Sequence, residues 1–156
     1  MTQSHSSPTL RAAANSDAEA MSAVHASAFD AAWDAPAFRG LLDRPGSLAF
    51  VAIGHQDGAV LGFILGQVAA DEVEVLSIAV TPSARRFGLG RQLLSALLEA
   101  AADRGVATLH LEVAADNVAA LALYEAEGFA VSGRRKGYYV RATGRADAVL
   151  MSRALA

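Results

Sequence analysis

The densest chemistry in this chain is the loop Arg85-Arg86-Phe87-Gly88-Leu89-Gly90-Arg91, which follows the apolar run Ile78-Ala79-Val80. Glycines let a backbone approach a ligand closely, and a helix beginning near Gly90 offers unpaired N–H groups and a positive dipole end. With arginines beside them, these features suit a phosphate or pyrophosphate. Two nucleotide loops do not fit the spacing. A P-loop needs Gly-Lys-Ser/Thr, whereas Gly90 is followed by Arg91-Gln92, and the dinucleotide fingerprint needs a small residue where Leu93 stands. An arginine-rich surface turn ahead of a helix is the plainer alternative.

Residues able to move protons lie on either side of this loop. In Leu109-His110-Leu111-Glu112-Val113 the apolar residues share one face of a strand, which leaves His110 and Glu112 on the other. That alternation suits a solvated face as well as it suits a general base. Glu72 and Glu74, on the strand before the loop, are rival carboxylates that fit a half-exposed strand equally well. Tyr124 sits about two turns into a helix, where a buried structural tyrosine is the plain reading. His25, His55 and His110 have no metal-ligand spacing, and no metal is expected. With zero cysteines, disulfides, thiolate zinc sites and a cysteine nucleophile are excluded.

The elements that must hold these residues follow from periodicity. Thr9–Ala14 reads as a short strand, Asp17 as the cap of a helix reaching Phe29, and Pro36–Asp43 as a second helix ended by Arg44-Pro45-Gly46. Ser47–Gly54 and Ala59–Ala69 form a hairpin across His55-Gln56-Asp57-Gly58, and Asp71–Thr81 is a third strand. Its alternation breaks phase near Ser77, as at a β-bulge. Leu93, Leu94, Leu97, Leu98 and Ala101 make one apolar stripe on a helix over Gly90–Arg104, stopped by Gly105. A strand over Val106–Val113, a helix capped by Asp116 or Asn117 and ended at Gly128, and strands near Phe129–Arg135 and Ala146–Arg153 complete the chain. Arg134-Arg135-Lys136 reads as a solvated turn rather than a nucleic-acid patch, with a contact to a ligand or partner as the alternative.

Arg85-x-x-Gly88-x-Gly90, placed between an apolar strand and an amphipathic helix, resembles the acyl-coenzyme A loop of the GNAT N-acetyltransferase superfamily. Downstream, Asn117-x-x-Ala120-x-x-Leu123-Tyr124-Glu125-x-x-Gly128-Phe129 is similar to that superfamily's second motif. The resemblance implies an α+β fold: a mostly antiparallel twisted sheet of six to seven strands, flanked by about four helices. Coenzyme A would sit in the splay after the fourth strand. The resemblance further implies acetyl-CoA as cosubstrate, with the backbone of Arg85, Arg86, Phe87, Gly88, Leu89, Gly90 and Arg91 at its pyrophosphate. Ile78, Ala79 and Val80 would pair with its pantetheine arm, which as an extended amide chain can complete a sheet edge.

Within the superfamily, Arg104-Gly105-Val106-Ala107-Thr108-Leu109, continuing through Leu111-Glu112-Val113, is similar to the bacterial RimI family, whose members acetylate the N-terminal alanine of a ribosomal protein. Arg134-Arg135-Lys136-Gly137-Tyr138-Tyr139 continues the likeness, and Trp33-Asp34-Ala35-Pro36-Ala37-Phe38 looks like that family's substrate segment. The implied roles are Glu112 as base, Tyr124 as acid near the coenzyme sulfur, Asn117 as helix cap or contact to the coenzyme arm, and Trp33, Tyr138 and Tyr139 at the acceptor. The implied partner is a protein N-terminus, without direct nucleic-acid contact, for a monomer or homodimer. One departure stands out: Gly137-Tyr138-Tyr139-Val140 replaces the family's usual Asn-Tyr-Tyr-Pro. A lysine side chain or small amine is the alternative acceptor. An α-amine near pKa 7.8 is about a tenth neutral at pH 7, against under ~0.1% for lysine, so it asks less of a base.

Composition agrees with one soluble domain. The chain has 156 residues, 53% hydrophobic and 19% charged, although 36 alanines inflate the first figure. A net charge of −3 argues against gripping nucleic acid by bulk charge. No run approaches the ~18 apolar residues of a membrane span. Met1–Pro8 is polar without a basic start and apolar core, so a cytoplasmic location without a signal peptide is expected. Residues 1–7 read as a disordered tail and residues 8–156 as a single domain.

Overall fold

The computed structural model describes residues 8–85 and 87–155; the expected tail over 1–7, and Arg86, lie outside them. Among the described residues seven strands form one sheet in the order β1-β2-β3-β4-β5-β7-β6. They are β1 Thr9–Ala12, β2 Ser47–Ile53, β3 Val60–Ala69, β4 Glu72–Val80, β5 Thr108–Ala114, β6 Ala130–Arg141 and β7 Gly144–Ala154. Only β4 and β5 pair in parallel. Four α-helices accompany them: α1 Ala18–Ala28, α2 Ala35–Leu42, α3 Leu89–Asp103 and α4 Val118–Ala126.

The helices cover opposite faces. Met21 and Val24 of α1 and Phe38 of α2 pack on Val51, Phe63 and Leu65. On the other face Leu93, Leu94 and Leu97 of α3 pack with Ile64, Val73, Leu109 and Met151, and Tyr124 of α4 joins them. The leucine stripe read from the sequence is the buried side of α3. Gly62 and Gly66 allow its close approach, since a Cβ on either would stand 3.2 Å from Leu93 Cδ1 or Leu97 Cδ1.

Three readings need correction. Asp17 precedes α1, yet its side chain does not cap that helix. The carboxylate instead accepts two hydrogen bonds from Arg11 at 2.8 and 2.9 Å, and one from the Ala14 N–H at 2.7 Å. That charged partner on β1 outcompetes the helix amides and holds the carboxyl below its usual range. Second, the strand ending the first expected run stops at Ala12 rather than Ala14. Third, Arg134-Arg135-Lys136 is no turn but part of β6, which runs on to Arg141.

The expected phase break is present. Leu65 pairs with Ser77 and Gly66 with Val75, so Leu76 is an extra residue on β4. The site is organised around this bulge.

Candidate active site

Parallel pairing between β4 and β5 spans only Glu72↔Thr108 to Val75↔Leu111. Beyond the bulge, Ile78, Ala79 and Val80 pair with β3 on one side and have no β5 partner on the other. Over the same stretch β5 continues against β7 alone, with Glu112 opposite Leu150. The two strands therefore diverge, and the second edge of β4 is left without a ladder. Ser77, at the head of this gap, is 8% exposed, and its Oγ has no hydrogen-bond partner among the described residues. A buried hydroxyl without a partner is costly, which favours a ligand that supplies one.

The gap leads to the N-terminus of α3. Gly88 is its N-cap in the left-handed conformation, φ 74°, and contributes no side-chain cap. The first helical bond there runs from Gln92 N–H to Gly88 C=O at 3.0 Å. Amides of the preceding residues point outward without a helical acceptor, as at any helix start. A Cβ on Gly88 would meet nothing within 4 Å, so open space lies over the turn. An extended, amide-bearing chain ending in pyrophosphate fits these features: a bare strand edge, a buried hydroxyl and a glycine-opened helix N-terminus.

The loop's side chains have divided loyalties. Arg85 Nε donates to the Val80 C=O at 3.1 Å. Leu89 is buried in the core, so only its backbone faces the loop. Phe87 is 69% exposed, and Gly90 lies against Leu123 of α4. Arg91 pairs with Glu127 at 2.7 Å and thereby ties α3 to the end of α4. Asn117 caps α4, its Oδ1 accepting from Ala120 N–H at 3.1 Å. Of the two roles expected for Asn117, capping is the one drawn in this geometry.

Leu109, Leu111 and Val113 enter the core beneath α3 and α4, which turns His110 and Glu112 toward the α1–α2 face. Glu112 is the first β5 residue past the last β4 pair. Its Oε1 is buried without a hydrogen-bond partner among the described residues, and Arg135 Nε stands 3.6 Å away. Tyr139 is close enough that burial first, and the Glu112 charge second, push its phenol above the usual value. Arg135 lies 5.1 Å over the Tyr138 ring and Arg141 5.2 Å over Tyr139, and the two tyrosine rings meet edge-on. Tyr138 is half exposed.

A second bulge aims this pair. Arg135 pairs with Ala148 and Tyr139 with Ala146, so three β6 residues oppose Asp147 alone. Gly137 there has φ 62°, and its N–H donates to Asp147 Oδ1 at 2.8 Å. Asparagine also tolerates this conformation, so glycine at the departure from the family pattern preserves the backbone turn.

Tyr124 lies on the other face, 5% exposed, its ring edge-on to Phe129 at 5.8 Å. Burial pushes its phenol up to about 12. Glu72 and Glu74 share the Glu112 face, but Glu72 is exposed and stands 3.3 Å from His110 Nε2. Trp33 lies in the loop between α1 and α2, half buried, with Ser22 and His25 bonded to its backbone. Sequence reasoning gave no site role to Ser22, His25 or Asp147, because no periodicity links a helix residue to a loop residue eight positions on, or two strands across a bulge. Among the described residues no group of three or more His, Asp or Glu is placed to hold a metal ion. No helix there is long and apolar enough to cross a membrane.

This splayed sheet with a glycine-opened helix start defines an acyltransferase-type fold, and the chain belongs to the Acetyltransferase (GNAT) family, whose profile matches residues 17–129. It is 47% identical over 97 residues to the [ribosomal protein bS18]-alanine N-acetyltransferase of Escherichia coli K12. That match spans 62% of this chain and 66% of the relative, just under two thirds of the relative's length. It is 38% identical over 151 residues to the N-alpha-acetyltransferase RimI of Mycobacterium tuberculosis, covering 93% of this chain and 91% of that protein. The crystal structure of the ribosomal-protein-S18-alanine N-acetyltransferase from Escherichia coli superposes with a TM-score of 0.88 at 36% identity. It covers 95% of this chain and 94% of that one.

Proposed function

We propose that this protein is an acetyl-CoA-dependent N-acetyltransferase that acts on the α-amine of a protein N-terminus, a ribosomal protein in the RimI-like reading. The observation that carries the reading is the divergence of β4 from β5 beyond the Leu76 bulge, which leaves one strand edge bare directly before the left-handed Gly88 and α3. Relatives named for N-terminal acetylation, at 47% and 38% identity, support the acceptor class.

The coenzyme, when bound, supplies an acetyl thioester whose carbonyl carbon is the electrophile. The outer edge of Ile78, Ala79 and Val80 aligns its arm, and the Gly88–Arg91 amides hold its pyrophosphate. Glu112 takes a proton as the neutral acceptor amine forms the new C–N bond, and its buried Oε1, which accepts no hydrogen bond among the described residues, is the basic atom. Tyr124 hydrogen-bonds the sulfur as the C–S bond breaks, steadying the electron pair that departs with it. Glu112 then returns its proton to solvent and the departing thiolate takes one from water, so the net result is an amide, a free thiol and one proton released from the acceptor ammonium. Tyr138, Tyr139 and Trp33 line the acceptor side, where rings with polar handles pack a peptide backbone.

Thiol release from acetyl-CoA tests this directly. A peptide with a free N-terminal alanine is compared with the same peptide blocked at its N-terminus and carrying a free lysine. Turnover with the open peptide alone is expected, and Glu112→Gln should lower kcat by about 10²–10⁴-fold. Turnover with the blocked peptide instead would move the acceptor to lysine and reopen Glu72 and Glu74 as bases.

A further inference from the structure

Between α1 and α2 the chain crosses the acceptor face through residues 29–34, a stretch with no regular hydrogen-bond ladder of its own. Its fixed point is Trp33. The Trp33 N–H donates to His25 Nδ1 at 3.1 Å, and the Trp33 C=O accepts from Ser22 Oγ at 2.8 Å. Ser22 and His25 are three apart on α1, so they lie on one side of that helix, one turn from each other. Side chains of a single helix thus satisfy both main-chain polar groups of one loop residue.

His25 is an odd choice for packing alone. It is 3% exposed, stacked on the Trp33 ring at 4.8 Å and surrounded by Phe29, Phe38 and Phe63 at 4.5 to 6.3 Å. A phenylalanine would fill such a nest without burying ring nitrogens. What the imidazole adds is an acceptor at Nδ1, available only while the ring is neutral with its proton on Nε2. Trp33, stacked on that ring, also lines an open concavity of about 390 Å³ with Pro36, Ala37, Gly40, Leu41 and Arg44. At the other end of the loop, Asp30 lies near enough to Arg141 for its charge to act on that guanidinium. The loop thus carries a charge that acts on the hairpin bearing Tyr139.

We propose that Ser22 and His25 are positioning residues of the acceptor site: they clamp Trp33, and with it the α1–α2 loop, into the wall against which the acceptor's first residues pack. This rests on the acetyltransferase reading above and adds residues to which no role has been given. The clamp acts on the acceptor and not on the coenzyme, because the coenzyme features lie on β4 and α3.

The test uses Ser22→Ala, His25→Phe and His25→Asn in the full chain. Phenylalanine keeps a ring in the nest but removes the acceptor; asparagine removes the ring but returns an oxygen near the place of Nδ1. With whichever amine the wild type acetylates, Ser22→Ala and His25→Phe should raise the acceptor KM about tenfold, the equivalent of one hydrogen bond lost in binding. The KM for acetyl-CoA should change less than twofold, and His25→Asn should recover part of the acceptor KM. Trp33 is the only tryptophan in the chain. Its emission should shift to the red and become more accessible to acrylamide in Ser22→Ala and His25→Phe, and less so in His25→Asn. Equal rises in both KM values, or a shifted emission with an unchanged acceptor KM, would overturn the proposal. An error in the α-amine reading shows separately, as wild-type preference for the blocked peptide, while the ratio of variant to wild-type KM still judges the clamp.

Discussion

Replacing Tyr124 by phenylalanine examines the leaving-group half of the proposed reaction. The phenol is 5% exposed and its pKa is pushed up to about 12 by burial. A leaving thiol of ordinary type has a pKa near 8.5, so complete proton transfer from Tyr124 to the thiolate is uphill by about 3.5 units, or on the order of 5 kcal/mol. That exceeds the roughly 1.5-unit gap expected of an ordinary tyrosine. In the proposed reaction Tyr124 would therefore hydrogen-bond the developing thiolate without giving up its proton fully. The distinction is measurable on the alkaline side. At pH 10.5 an acid of pKa 10 would be only about a quarter protonated, whereas one at about 12 would be about 97% protonated. Saturated thiol release by the wild type should hence stay level, within about twofold, between pH 9 and 10.5. Tyr124→Phe, which removes a donor to the developing charge, should lower kcat about 10²-fold across this range. Its ring can keep the 5.8 Å edge contact with Phe129, so Tm should move little. A fourfold fall in wild-type kcat by pH 10.5 that Tyr124→Phe abolishes would refute the argument, as would a variant kcat within threefold of wild type.

Three further perturbations separate local structure from ligand binding. Gly88→Ala places a Cβ in open space but at φ 74°, so the cost is backbone strain of about 1–2 kcal/mol. Tm should drop by about 2–8 °C and the acetyl-CoA KM should rise, whereas Gly88→Asn, better suited to this conformation, should lose less of both. Asn117→Ala removes a cap bonded at 3.1 Å and should cost about 1 kcal/mol in denaturant unfolding. If the cap is its whole role, the KM for acetyl-CoA will not change. His25 is buried neutral, with a pKa lowered by desolvation from its ordinary value near 6.5. The unfolded chain then binds the proton first, so this contribution to stability is fully present above about pH 6.5 and is lost as pH falls toward the folded value. The wild-type Tm should consequently decline more steeply than that of His25→Asn between pH 7 and 5; parallel curves would count against a buried neutral ring.

Legibility in the sequence followed the range of the interactions. The α3 stripe was plain because Leu93, Leu94, Leu97 and Leu98 repeat at the helical period and all enter one core. The β4 bulge was legible for a related reason, since an inserted Leu76 shifts the alternation on either side of it. The β6 strand was cut short because its own bulge at residues 136–138 breaks the alternation without apolar residues to mark the new phase. Asp17 reads as a cap from sequence because an acid before a helix favours that role, and only the fold brings Arg11 beside it. The Trp33 clamp left no trace, since Ser22 and His25 look like ordinary helix residues until the loop returns over them.

The proposed coenzyme edge and the proposed base share one structural cause. β5 pairs with β7 along its whole length, from Thr108↔Ala154 to Ala114↔Ala148, so its position is set from that side. β4 is likewise bound to β3 to its end at Val80. One extra residue, Leu76, rotates the remainder of β4 away from β5 while leaving both outer ladders intact. The same departure frees the Ile78–Val80 edge, strands the Ser77 hydroxyl and makes Glu112 the first β5 residue without a β4 neighbour. Deleting Leu76 should restore alternation and let the strands pair further, closing the gap instead of loosening the fold. The deletion variant should therefore bind acetyl-CoA at least tenfold more weakly while still unfolding cooperatively. Wild-type affinity after the deletion would mean that the bulge is not what opens the sheet.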